Sequence, residues 1–310
     1  MQVEIERVAE LRLDTGLPVR AASGIAPFGD GWLIAQDDAT HAAWHRPAGM
    51  TAIRVLPPVE GHDTFSAAAG TKHLKPDFEA ACEVTVAGRP AVLLLGSGSL
   101  PARMRASLVT LTDDGPAFTP ADLSPLYARV ASALEIPIDQ LNLEGACRHH
   151  DRMHWFQRGN SAADICSTSV DVDFAALLAA VTGAGSIDAV QVGSPRRYDL
   201  GRVDGVGLAV TDAVALPDGR TLISAAAEDT PNAVDDGPVV GTALALLDGG
   251  RVLGVTALPE PDGMVYKVEG IALQGVAADA ARLLAVVDID DPETPSTELT
   301  MTLRWDLPVG

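Results

Sequence analysis

Long apolar runs are missing from this sequence. None approaches the roughly 18 residues that would cross a bilayer as a helix, although 47% of the chain is hydrophobic. No membrane association is expected, and the apolar residues are left for a large buried core. The opening, Met1-Gln2-Val3-Glu4-Ile5-Glu6-Arg7, has no basic stretch ahead of an apolar one. No signal peptide is therefore expected, and the cytoplasm is the expected location. Cysteine is scarce. Cys82, Cys147 and Cys166 have no paired spacing and are expected to be buried, reduced thiols. Basic residues are few as well: 22 Lys and Arg stand against 42 Asp and Glu, for a net charge of −20. Nucleic-acid binding needs clusters of Lys and Arg and is not expected. The acidic surplus suits a solvated surface or a cationic partner.

What the chain does have is a phrase that recurs. Val268-Glu269-Gly270-Ile271-Ala272 repeats Leu143-Glu144-Gly145-Ala146-Cys147. Phe78-Glu79-Ala80-Ala81-Cys82 replaces the Gly, and Ala22-Ser23-Gly24-Ile25-Ala26 replaces the Glu. Val210-Thr211-Asp212-Ala213-Val214 is the weakest copy. Val203-Asp204-Gly205 competes for that place, but counting back from the Pro217-Asp218-Gly219-Arg220 hairpin selects Thr211-Asp212, with Asp204, Thr211 and Asp212 all open as the residue that faces the axis. Five copies at a spacing of roughly 60 residues are a repeat signature.

Short strands follow each phrase. The first copy gives Ser23–Phe28, Trp32–Gln36, Ala42–Arg46 and Thr51–Leu56. The second gives Glu79–Ala87, Ala91–Leu95 and Ala106–Leu111, then a helix over Leu126–Leu134 after Ser124-Pro125. The third gives Glu144–His149 and Met153–Gln157, then an Ala/Leu-rich helix over Asp173–Val181. The fourth gives Asp212–Leu216, Thr221–Ala226, Val239–Leu247 and Val252–Leu258. The fifth gives Glu269–Gln274, Leu283–Val287 and Glu298–Trp305, one strand short. The N-terminal segment with Val3, Ile5 and Val8 has one strand to spare and completes the fifth. The expectation is one all-β domain over residues 1–310, a five-bladed β-propeller closed by its N-terminal strand, with one or two short inserted helices. A β-sandwich or barrel is the alternative, but those lack a repeated phrase at this period.

In a blade the first strand lines the central channel, and its start lies beside the end of the antiparallel second strand. Ser23, Glu79, Glu144, Thr211 and Glu269 then share one mouth with Asp37, Ser97, Arg158, Glu228 and Asp288. Carboxylates converging on a poorly solvated axis must be protonated, paired with cations or bound to a metal. An all-oxygen set suits a hard ion, Ca²⁺ before Mg²⁺. The alternative is that the inner Glu residues cap amides of neighbouring blades or pair with Arg103 or Arg158.

Several phrases resemble an uncharacterised bacterial propeller family: Leu74-Lys75-Pro76-Asp77-Phe78-Glu79-Ala80, Gly96-Ser97-Gly98-Ser99 with Arg103, Gln157-Arg158-Gly159-Asn160, and Ala227-Glu228-Asp229. The Glu-Gly opening is also similar to esterase-like and phytase-like propellers. The set Ser23, Glu79, Glu144, Thr211 and Glu269 resembles the ring of the five-bladed calcium-activated nucleotidases (apyrases). That resemblance implies a central Ca²⁺ held by these five residues, and hydrolysis of nucleoside di- and triphosphates. Nucleotidase motifs outside the ring are not matched and those enzymes are secreted, so the resemblance supports a Ca²⁺-centred propeller better than nucleotidase activity.

Cations gather near the ring: Lys72, Lys75, Arg103 and Arg158. With Ser97, Ser99 and Asn160 they are candidates for binding a phosphate or other small anion. His73 is the candidate general acid/base, with Asp38, Glu228 or Asp288 as partner. The resulting expectation is metal-dependent hydrolysis of a small anionic ester; the competing class is a non-catalytic binding propeller with a structural Ca²⁺. His149, His150 and His154 flank a turn on the opposite face. They are expected to be exposed hairpin histidines, with no fourth zinc ligand in view.

Overall fold

The computed structural model describes residues 1–193, 195–230, 237–289 and 294–306. Twenty strands form five four-stranded antiparallel sheets. Blade 1 comprises Ala22–Phe28, Gly31–Gln36, His41–Arg46 and Gly49–Arg54. Blade 2 comprises Phe78–Val86, Arg89–Gly96, Arg105–Thr112 and Gly115–Asp122. Blade 3 comprises Leu143–His149, Arg152–Gln157, Ser167–Asp173 and Arg196–Tyr198. Blade 4 comprises Ala209–Ala215, Thr221–Glu228, Val239–Asp248 and Arg251–Ala257. Blade 5 comprises Val268–Val276, Ala280–Val287 and Thr297–Arg304, and its outermost strand is the N-terminal Gln2–Glu10. That strand pairs antiparallel with Thr297–Arg304, so the two ends of the chain close the ring.

The inner strands lie between neighbouring blades and are covered on both faces. Their sequences are therefore apolar runs rather than alternations. Ala91–Gly96 and Thr221–Glu228 are buried at every position. The outer strands have water on one side and alternate, as Gln2–Glu10 does. Five buried apolar clusters fill the five seams, one between each pair of blades. Each Leu, Ile or Val withdrawn from water there contributes about 1.5–3 kcal/mol. The seam between blades 2 and 3 holds more than strands. Helices α1 (Ser124–Leu134) and α2 (Phe174–Val181) fill it. Tyr127 of α1 packs edge-on to Trp155 at 4.9 Å and donates its hydroxyl to the Gly96 carbonyl at 2.5 Å. Asp173 caps α2 by accepting from the Ala176 N–H at 2.9 Å.

The glycines of the repeated phrase sit where innermost strands meet around the axis. A Cβ on Gly145 would lie 2.8 Å from the Ala213 nitrogen, and one on Gly270 would lie 2.8 Å from the Gly24 Cα. Cys166 is exposed rather than buried as expected, in the loop just before the third strand of blade 3. Among the described residues, no helix is long and apolar enough to cross a membrane.

Close approach at the axis gives a stability prediction. Gly145→Ala and Gly270→Ala should each destabilise the protein by about 1–3 kcal/mol, since a methyl group must displace neighbouring backbone. Gly250→Ala, with no atom closer than 3.7 Å, should be near neutral. Denaturant midpoints measure the difference, and equal effects at all three positions would contradict the close-approach account.

Candidate functional site

The first strand of every blade is irregular at one shared place. Its pairing with the second strand skips a residue, and the skipped residues are Ser23, Glu79, Glu144, Thr211 and Glu269. A β-bulge leaves the extra residue out of the ladder and re-aims its side chain. Five bulges at equivalent positions thus place one polar side chain per blade at the same end of the channel. Ser23, Glu79, Glu144 and Glu269 line a cavity of about 80 Å³. Thr211 does not line it. Its hydroxyl donates to the Val268 carbonyl at 2.6 Å, and the Ser23 hydroxyl likewise donates to the Phe78 carbonyl. Each therefore stitches one blade to the next.

Two further sets complete the lining. Second-strand ends contribute Asp37, Arg158, Glu228 and Asp288. The residues two before the bulge contribute Ala21, Asp77, Asn142 and Lys267. Ala21 and Asp77 have left-handed backbone, φ 48° and 56°. This conformation is uncommon for residues with a side chain. Arg103 and Lys75 reach in from the loops flanking blade 2, so among the described residues seven carboxylates face four cations in the cavity wall.

The charges form two linked networks. In the first, Lys75 Nζ lies 2.5 Å from Asp37 Oδ2 and 2.6 Å from Asp77 Oδ1. Arg103 holds the other Asp77 oxygen at 2.9 Å. Ser97 donates to Asp77 as well, and the Ser99 hydroxyl accepts from Arg103 at 2.8 Å. Burial alone would raise Asp77, but Lys75 and Arg103 outweigh it and bring it below its usual range. In the second, Arg158 bridges Glu144 at 3.1 Å and Glu228 at 2.5 Å. Lys267 bridges Glu228 and Glu269, both at 3.0 Å. Burial would raise Glu228 too, but Arg158 and Lys267 hold it at about 2. Glu269 goes the other way, to about 7, because burial and the nearby Glu144 outweigh Lys267.

Glu79 stands between the networks. It forms no hydrogen bond or ion pair among the described residues, and its carboxylate lies within 4.8 Å of those of Asp37 and Asp77. Burial, then repulsion from Asp77, Asp37 and Glu144, pushes its pKa well above the ordinary range. Asp38, beside the same cluster, is raised to about 7 by burial and by Asp37. Deeper in the channel, Asp212 is fully buried and accepts from the Ile271 N–H at 2.8 Å, while its other oxygen has no partner. Asp204 lies away from the ring, in the turn joining the short strands Arg202–Val203 and Val206–Gly207.

The sequence-predicted residues divide accordingly. Lys75, Arg103, Arg158, Asn160, Glu228 and Asp288 line the cavity. Ser97 and Ser99 are buried behind Asp77 and act on it. Asp38 sits just outside the lining. His73 and Lys72 fall on a one-turn helix, Lys72–Leu74, and do not line the cavity; His73 is exposed. Sequence reasoning missed Asp77, Asn142 and Lys267 as lining residues. Their shared offset of two from the bulge is the signal that finds them, since side chains two apart on a strand share a face.

No curated protein matches the chain. Solved structures of similar architecture include a glutaminyl cyclase from Myxococcus xanthus, 11% identical over 98% of this chain and 97% of that one, TM-score 0.48. A luciferin-regenerating enzyme is 10% identical over 98% of each chain, TM-score 0.42. A gluconolactonase from Xanthomonas campestris is 10% identical over 96% of this chain and 74% of that one, TM-score 0.34. At these identities nothing about activity passes to this chain. The match that does identify it is to a family of unknown function, DUF6910, over residues 71–292, and the chain belongs to that family.

Proposed function

We propose that the mouth of the channel binds a divalent cation, Ca²⁺ ahead of Mg²⁺, and hydrolyses a small anionic ester beside it. The observation that carries this reading is Glu79, a half-buried carboxylate crowded by Asp37 and Asp77 and lacking a partner of its own. Such a group needs a proton or a cation. Three carboxylates with donor oxygens within 4.8 Å offer an all-oxygen site. Asp37, Asp77 and Glu79, from the neighbouring blades 1 and 2, would hold the ion once Lys75 moves off Asp37 and Asp77. There the ion would neutralise the cluster and polarise an ester oxygen.

The remaining groups divide the work by charge. Arg158 and Lys267 can turn toward an anionic substrate while Glu228, ionised at about 2, keeps them charged and in place. Glu269, with a pKa of about 7, can give a proton to the departing alcohol oxygen and recover one from the attacking water. The second reading, a binding propeller, draws on the pairing itself. Glu144, Glu228 and Asp77 already have cationic partners, so the mouth is organised without turnover.

Two tests follow. Asp38 and Glu269 titrate near 7 in the folded protein against 3.8 and 4.5 ordinarily. A raised carboxyl pKa means the native state holds the extra proton. Stability from these groups is full below about pH 4 and is lost as pH rises toward 7. The Glu79 carboxyl is raised as well, so a cation at Asp37, Asp77 and Glu79 competes with its proton; Ca²⁺ should therefore raise Tm more at pH 8 than at pH 5, and Glu79→Gln should abolish the difference. An equal shift at both pH values would contradict the cation site. For turnover, a panel of phosphate mono- and diesters should show Ca²⁺-dependent hydrolysis, reduced at least about 100-fold by Glu269→Gln. Ca²⁺ binding without turnover of any ester would favour the binding reading.

A further inference from the structure

The hairpin histidines stand differently from the sequence expectation. His150 alone is exposed, while His149 and His154 are half-buried and their rings lie 4.6 Å apart. Cys147, rather than His150, joins His149 and His154. Cys147 is directly across the ladder from His154, and His154 is directly across from Asp171 on the third strand. His149 lies two residues after Cys147 on the same strand face. Cross-strand partners and residues two apart project to one side of a sheet, so the pattern Cys-x-His-x4-His around a tight hairpin gathers three soft donors. The donor atoms of Cys147, His149 and His154 all lie within 4.8 Å of one another.

We propose that Cys147, His149 and His154 bind a d-block divalent cation of the Zn²⁺ class, at the end of blade 3 opposite the carboxylate mouth. A thiolate and two imidazoles are borderline-soft ligands, which select zinc-like ions and reject Ca²⁺ or Mg²⁺. The surroundings resemble the supporting shell such sites require. Asp171 Oδ1 lies 3.2 Å from His154 Nε2, and Arg196 fixes Asp171 through both its oxygens at 2.5 and 2.7 Å. Thr221, from blade 4, lies 2.9 Å from His149 Nε2. Each imidazole therefore has one nitrogen in contact with an oriented oxygen. Cys147 belongs to the apolar cluster between blades 3 and 4, which gives the sulfur a rigid seat. Three protein ligands leave a fourth position toward solvent for water or an exogenous ligand. The ion binds with loss of the Cys147 thiol proton to solvent.

The test uses the full chain and Co²⁺ as a spectroscopic stand-in for Zn²⁺. Wild type should bind one Co²⁺ with a thiolate-to-metal charge-transfer band, and Zn²⁺ should displace it. Cys147→Ala should lose the band. His149→Asn and His154→Asn should each weaken binding at least tenfold, and they carry the test if the buried Cys147 variant does not fold. Asp171→Asn should weaken it about 10–100-fold by freeing the His154 ring. Glu79→Gln should leave the band unchanged, which separates this site from the mouth. A Co²⁺ complex with no thiolate band, or undiminished binding in both histidine variants, overturns the assignment.

Discussion

Like charge gathered at the axis of a closed ring is the constraint to which the rest of this structure answers. Among the described residues, seven carboxylates share one cavity wall. At separations near 4 Å, two such charges repel by about 4 kcal/mol at the effective dielectric of a protein surface, and by more deeper inside. The fold meets this repulsion in two ways. Arg103, Arg158, Lys75 and Lys267 each touch at least one carboxylate within 3.1 Å. Glu79, which no cation touches among the described residues, is shifted upward by burial instead, and burial raises Glu269 despite its contact with Lys267. The bulges that aim these side chains and the glycines that follow in three of the blades belong to the same short phrase, so one sequence unit encodes both the charge and the close approach that concentrates it.

That phrase made the architecture legible. It marks the start of each innermost strand, and five copies with one strand to spare at the N-terminus imply five blades and their closure. The outer strands were harder to read. Gly115–Asp122 carries Pro116 and Pro120, which read as strand breakers, yet proline is tolerated on an edge where its missing N–H would only face water. Ser167–Asp173, rich in Ser, Thr and Asp, lacks the apolar run expected of a buried strand. It pairs between Arg152–Gln157 and the three-residue Arg196–Tyr198.

The site was legible only in part, for a related reason. Ring residues stand out because they repeat. Their partners do not, because each blade supplies a different group at the same position: Asp77, Asn142 and Lys267 share a place but no chemistry. Positional equivalence, rather than residue type, was the usable signal. The histidine cluster is not legible from the histidines alone, because Cys147 reads as a core thiol. In a hairpin, the face is set by register, and register puts Cys147 opposite His154. The two ends of the channel thus differ in kind, hard oxygen donors at one and soft sulfur and nitrogen donors at the other.

The central claim is that Glu79, Asp37 and Asp77 leave a negative centre that a divalent ion completes. Crystals grown with Mn²⁺, a scattering substitute for Ca²⁺, would report on it through an anomalous difference map. The account predicts a single strong peak at the mouth, coordinated by those three side chains, with Lys75 drawn away from Asp37. A map without density there, with Lys75 still seated between Asp37 and Asp77, would show that internal ion pairing and protonation alone hold the ring together.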